Sequence, residues 1–227
     1  MKKSFLIALF LTCAIFLGFS QEIITADRFL DTVSERYATI RDYEARVVIH
    51  SAGTDMVGNL SFLEPNFLRI DFTNPAGQAL IFNGEILSIY VPRLRAVLTQ
   101  AVTPMRASPV GGAAMASAQG LQLLRRGYVA TFLTGPDPVP LDGGPERVVQ
   151  LRLTRRLTSE NFREIILSVN PETRLIRRIE ARTLTNALVR FDFTDIRVNV
   201  GIPEQRFVYT PPPHANLYNN FLFREAN

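Results

Sequence analysis

A curved antiparallel β-sheet or barrel of about ten strands, with helices packed against it, is the fold class that the sequence predicts. Three observations carry this. From Asp42 onward apolar and polar residues alternate with period two in one short run after another. Asn83-Gly84, a pair suited to a tight hairpin because both residues accept positive φ, separates two such runs. Spacing near 3.6 is confined to two stretches, Ala26 to Ile40 and Leu121 to Phe132.

In chain order, residues 1–20 read as a cleavable secretory signal. Lys2 and Lys3 supply a positive start, Ser4 to Leu17 an apolar core too short to span a bilayer, and Gly18-Phe19-Ser20 small residues at the −3 and −1 positions before Gln21. Cys13 lies inside that apolar core, so a lipid-attachment site is not expected there. Residues 21–227 are then expected to form a single exported domain located in the periplasm. Thr25 caps the first helix, Asp27 suits its first turn, and Ala26, Leu30, Val33, Tyr37 and Ile40 make its apolar stripe. Tyr43 to Ile49 and Met56 to Leu63 flank a Ser51-Ala52-Gly53-Thr54 turn. Further strands are expected at Phe67 to Thr73, Gln78 to Phe82, Glu85 to Val91 and Leu94 to Gln100.

The middle of the chain changes character. Pro104 to Gly120 is rich in Pro, Gly, Ala and Ser, which predicts a long loop. Leu121, Leu124 and Tyr128 then predict a short apolar helix carried on it. After a second breaker-rich stretch, strands are expected at Val148 to Thr154, Phe162 to Val169, Leu175 to Arg182 and Leu188 to Val198, with a last one at Arg206 to Tyr209 before Pro211-Pro212-Pro213. An outer-membrane barrel would share the alternation, but helices at both places, short strands and no repeated aromatic girdle favour a soluble sheet with an apolar concave face.

Composition excludes whole classes of chemistry. Both lysines lie in the signal, leaving 23 arginines against 21 acidic residues, so nucleic acid is not an expected partner. Without lysine or cysteine after residue 20, Schiff-base, phosphate-loop, Ser-Lys and thiol mechanisms are closed. His50 and His214 are the only histidines, and no metal-ligand spacing or nucleophile motif accompanies them. No catalytic residue, metal or cofactor is therefore expected, and His50, Asp192 and Asp195 read as surface groups. Arg155-Arg156 and Arg177-Arg178 read as solvated strand faces, because strand neighbours point to opposite sides. Arg125-Arg126 differs: it follows the apolar turns of the short helix and suits lipid headgroups or an acidic partner. The strongest signal is apolar surplus. Met56, Leu60, Phe62, Leu68, Ile70, Phe72, Leu80, Phe82, Leu87 and Ile89 make one broad apolar face, to be covered either completely, as a core, or incompletely, as a lidded cavity.

At Gly58-Asn59-Leu60-Ser61-Phe62-Leu63-Glu64-Pro65-Asn66-Phe67-Leu68-Arg69-Ile70, then Asn74-Pro75, Asn83-Gly84, Tyr90-Val91-Pro92 and the closing Phe207-Val208-Tyr209-Thr210-Pro211-Pro212, the chain resembles the periplasmic outer-membrane lipoprotein carriers, the LolA-like proteins. The resemblance runs from about Asp42 to Pro212. It implies an unclosed barrel of about eleven strands, with the helices as a lid over an apolar cavity. It further implies a monomeric carrier that accepts acylated lipoproteins from an inner-membrane lipoprotein-releasing ABC transporter and delivers them to an outer-membrane receptor lipoprotein. Leu60, Phe62, Ile70 and Phe72 would line the cavity; Leu121, Leu124 and Tyr128 would belong to the lid. The family's arginine before Pro-Asn, which holds the lid closed, is replaced here by Glu64. That residue either latches the lid by pairing with Arg125 or Arg126 or sits solvated at a strand end. An envelope-stress sensor of the same fold and a secreted lipid esterase are the alternative functions.

Overall fold

The computed structural model describes residues 24–101 and 114–221; the expected signal and the first part of the long loop lie outside them. Helix α1 (Ala26–Tyr37) begins where its residues dictate. The Thr25 hydroxyl accepts the Arg28 amide at 3.2 Å, and Phe29, Leu30, Val33 and Tyr37 are buried along one side. The chain then enters β1 (Asp42–Ser51), β2 (Thr54–Leu63), β3 (Phe67–Asn74), β4 (Ala79–Asn83), β5 (Ile86–Val91) and β6 (Ala96–Ala101), an antiparallel meander. Helix α2 (Ala118–Gly127) leads directly into β7 (Tyr128–Phe132). There follow β8 (Val139–Pro140), β9 (Arg147–Arg155), β10 (Phe162–Val169), β11 (Ile176–Thr183), β12 (Leu188–Val198) and β13 (Asn216–Asn219).

Among the described residues thirteen strands make one sheet, in the order β13-β6-β5-β4-β3-β2-β1-β12-β11-β10-β9-β7, with β8 paired onto β9. Every pairing is antiparallel except β13 on β6. β1 joins the two meanders by pairing with both β2 and β12, and the path ends at β13 and β7, so the barrel is unclosed. Local chemistry sets the bends. Gly84 takes φ 91°, and the Asn83 side-chain oxygen accepts the amides of Glu85 and Ile86 at 3.2 and 2.8 Å. At Gly58 the β2–β3 register shifts, and a Cβ there would lie 2.8 Å from the Asp71 carbonyl. Only glycine permits that approach, and the irregularity curves the sheet.

The period-two residues sort cleanly. Tyr43, Ala45, Val47 and Ile49 of β1 face inward with Leu60 and Phe62 of β2, Leu68, Ile70 and Phe72 of β3, Leu151 and Leu153 of β9, and Ile165, Leu167 and Val169 of β10. The two helices lie on this inner face: Phe29, Leu30 and Val33 of α1 and Leu121 and Leu124 of α2 belong to the same core. After β12 the chain crosses the outer face of β1 to β5 to reach β6. On the way it buries Phe207 at 1% exposure, its ring centroid 5.5 Å from that of Phe67, so Ile81, Val97 and Phe207 form a smaller apolar layer outside the sheet.

Two expected elements differ. Arg206 to Tyr209 is not a strand but a 3-10 turn (Glu204–Phe207) and an extended run, and the last strand forms instead at Asn216–Asn219. Prolines on either side remove donors that a ladder needs, whereas β6 offers a free edge beyond them. The helix expected to reach Phe132 stops at Gly127, so Tyr128 opens β7. Tyr128 fits both periods, with Leu121 and Leu124 behind it and Ala130 and Phe132 ahead; pairing with Arg155 on β9 decides the matter.

Candidate functional site: the lidded inner face

Leu60, Phe62, Ile70 and Phe72 are brought together on adjacent strands, with Leu60 paired to Ile70, and all four are at most 6% exposed. Leu121, Leu124 and Tyr128 join them in the same continuous apolar cluster, although Tyr128 reaches it from β7. Cover is uneven. Leu151, Leu153, Ile165, Leu167, Val169 and Ile179 are fully buried, whereas Met56, Leu80, Phe82 and Ile89, on β2, β4 and β5, are partly exposed at the edge of the cluster.

The anchoring of the helices explains this asymmetry. The Tyr37 hydroxyl accepts the Ile176 amide of β11 at 3.1 Å, Arg174 stacks over Phe29 at 4.9 Å and donates to the Thr32 hydroxyl at 3.1 Å, and Phe29 packs on Phe132 of β7. Burial pushes the Tyr37 phenol up to about 12, so it stays neutral there. α2 is continuous with β7. Both helices are thus fixed to the β7–β11 side. One buried polar contact crosses to β1: the Tyr43 hydroxyl donates to the Ala116 carbonyl, just before α2, at 3.0 Å, with the Tyr43 ring stacked on Phe62.

That contact ties the start of α2 to β1, and the sequence did not signal it, because Tyr43 reads simply as an apolar-face residue of an alternating strand. Neither pairing expected of a Glu64 latch, with Arg125 or with Arg126, is found among the described residues. Glu64 is exposed at the β2–β3 turn and makes no ion pair among the described residues. Arg125 pairs instead with Asp31 of α1 at 2.5 Å, which joins the helices to one another. Arg126 is exposed, and no partner is found for it among the described residues. Between the helices lies an open cleft of ≈ 590 Å³ lined by Asp27, Leu30, Asp31, Gln122, Arg125, Arg126, Tyr128 and Arg156.

On the outer face the charges are less solvated than alternation alone implies. Arg178 is 8% exposed and is held by Asp192 at 2.5 Å and by both oxygens of Asp142. Asp142 comes from a 3-10 turn (Leu141–Gly143) folded over the sheet, and the Arg178 hydrogen bonds hold its carboxyl below its ordinary range. Asp192 also meets Arg190 and His50, and His50 meets Asp55 at 2.6 Å. Arg177-Arg178 and Asp192 are therefore structural ion pairs rather than solvated groups: neighbouring strands supply opposite charges in register, Arg178 opposite Asp192. Asp195 remains exposed, and His214 lies in an exposed turn. Among the described residues no group of three His, Cys, Asp or Glu is placed to hold a metal, and no helix is long and apolar enough to cross a membrane.

No protein-family model and no curated protein matches the sequence. Solved structures share its fold. An uncharacterized conserved protein from Thermus thermophilus superposes with a TM-score of 0.55 at 12% identity, covering 86% of this chain and 99% of that one. MucB superposes at 0.50 with 16% identity over 85% of this chain; the chain spans 65% of MucB's length. A LolA-superfamily protein from Nitrosomonas europaea aligns more loosely, with a TM-score of 0.40 and 14% identity over 82% of this chain and 98% of its own. The architecture among the described residues is an unclosed, mainly antiparallel β-barrel with two helices across its apolar inner face.

Proposed function

We propose that this protein is a periplasmic carrier that shields the acyl chains of lipoproteins between the inner and outer membranes. One observation carries the reading: the helical lid is fixed to one half of an apolar face and rests on the other, where Met56, Leu80, Phe82 and Ile89 stay partly exposed. Opening along that boundary would admit acyl chains onto Leu60, Phe62, Ile70 and Phe72. Burial is worth about 0.8 kcal/mol per methylene, so one ordinary chain contributes roughly 12 kcal/mol, and three buried dry would exceed the practical ceiling of about 18 to 21 kcal/mol. Partial burial, opposed by the cost of opening the lid, keeps release possible. The donor would be an inner-membrane ABC transporter and the acceptor an outer-membrane receptor lipoprotein.

Cargo decides between the carrier and its alternative. Protein recovered from the periplasm is expected to bring down triacylated lipoproteins, and Ile70→Glu, which places a charge on the inner face, should lose a fluorescent acyl probe while still folding. Wild-type affinity in folded Ile70→Glu would overturn the site. A sensor is the second reading, favoured by the likeness to MucB, which is known in complex with MucA; capture of a membrane regulator instead of lipoproteins would select it. Of the two histidines an esterase could use, His50 is held by Asp55 and Asp192 on the outer face and His214 lies in an exposed turn.

A further inference from the structure

We propose that the end of the molecule formed by the last turns of α2 and the β9–β10 turn docks on an anionic phospholipid bilayer. The proposal rests on the carrier reading and says how the lid meets its donor or acceptor membrane. Three features converge there. The Arg156 amide donates to the Gly127 carbonyl at 2.8 Å and its side chain to the Tyr128 carbonyl at 3.0 Å, so the turn after β9 abuts the end of α2. Arg125, Arg126 and Arg156 line one cleft, and Arg126 is exposed without a partner among the described residues. Leu123, two residues before Arg125, and Leu157, next to Arg156, are 56% and 63% exposed although both are large and apolar.

Exposed leucines beside arginines match the chemistry of a bilayer surface, where phosphates meet guanidinium groups and the acyl boundary accepts short apolar side chains. An acidic soluble protein would explain the arginines but would leave Leu123 and Leu157 in water. Acidic groups are present too: Asp27 and Asp31 line the cleft, and Glu160 lies against Gly127. Asp31 already neutralises Arg125, which leaves Arg126 and Arg156 as the cations presented outward. A phosphate that engages Arg125 competes with Asp31 and so loosens the ion pair that joins α1 to α2. Contact with a bilayer is thereby coupled to the lid, at the cleft whose floor, Leu30 and Tyr128, belongs to the apolar core.

Flotation of the exported protein with vesicles tests this. Vesicles containing phosphatidylglycerol are expected to bind and pure phosphatidylcholine vesicles to bind far less, with the difference lost as salt rises to about 0.5 M. Arg126→Gln with Arg156→Gln should reduce binding about 25-fold, at about fivefold per arginine, and Leu123→Ser with Leu157→Ser about tenfold. Leu184→Ser, at another exposed leucine, should change nothing. Equal binding to both vesicle types, or equal loss in Leu184→Ser, overturns the docking surface. Acyl-probe binding on the same proteins separates the two readings: a wild type that floats without binding the probe sinks the carrier, and one that binds the probe without floating sinks only the docking surface.

Discussion

The two halves of the barrel use the same pattern to different ends. On β9 to β11 the inner residues Leu151, Leu153, Ile165, Leu167 and Ile179 are fully buried, with Phe162 partly exposed at the start of β10, and outer residues are ion-paired: Arg178 with Asp142 and Asp192, Arg152 with Glu164. On β2 to β5 the inner residues keep a partly exposed margin, and the outer face is covered by the returning chain around Phe207. The first arrangement ties the covering helices to the strands beneath them; the second lies under the same helices without that anchoring. On the carrier reading, the second half is the one whose cover would lift.

Substitutions should separate the halves. Leu167→Ala, in the fully buried half, is expected to cost about 3 to 5 kcal/mol in chemical denaturation and to leave acyl-probe affinity of the folded fraction unchanged. Phe82→Ala, at the margin, should cost nearer 1 kcal/mol yet weaken the probe several-fold. Equal losses of stability at the two sites would erase the distinction. Tyr43→Phe removes the hydroxyl that tethers the start of α2, so it is expected to raise hydrogen exchange in residues 117–127 by an amount corresponding to about 1 kcal/mol, with global stability little changed.

Acid sharpens the contrast on the outer face. Burial raises the Asp71 carboxyl, but hydrogen bonds from Arg69 and Arg206 outweigh it and leave it below its ordinary value. Such a depressed group stabilises the fold above its unfolded value and loses that contribution as pH falls through the folded one. Because Arg206 belongs to the returning chain, residues 203–219 should become more protease-sensitive below about pH 4 and be unaffected between about pH 5 and 8. Smallest of all, Glu64→Gln is expected to stay within about 0.5 kcal/mol of wild type and leave dye access to the inner face unchanged, since Glu64 is exposed and makes no ion pair among the described residues.

What was legible in the sequence is what a few consecutive residues determine. The cap at Thr25, the Asn83-Gly84 hairpin and the inward set Leu60, Phe62, Ile70 and Phe72 follow from spacing and turn chemistry alone, and the order of motifs pointed to an unclosed barrel. What escaped depends on partners far along the chain. Arg178 is buried because Asp142 and Asp192 reach it from two other segments; Tyr43 tethers the lid because its hydroxyl meets a carbonyl 73 residues away. Phe207 is buried by the outer face of strands more than a hundred residues earlier, so local alternation suggested a strand where the chain instead crosses a sheet.

That crossing has a consequence for how the chain matures. Until residues 216–219 arrive, β6 is an open edge, a row of unpaired amides and carbonyls that can recruit another chain. The residues that close it follow the segment that crosses the outer face, where Phe207 joins Ile81 and Val97 in the outer apolar layer. A chain shortened before Asn216 would keep its lid and its inner face yet carry an unprotected edge, so its failure would show as self-association rather than as loss of ligand.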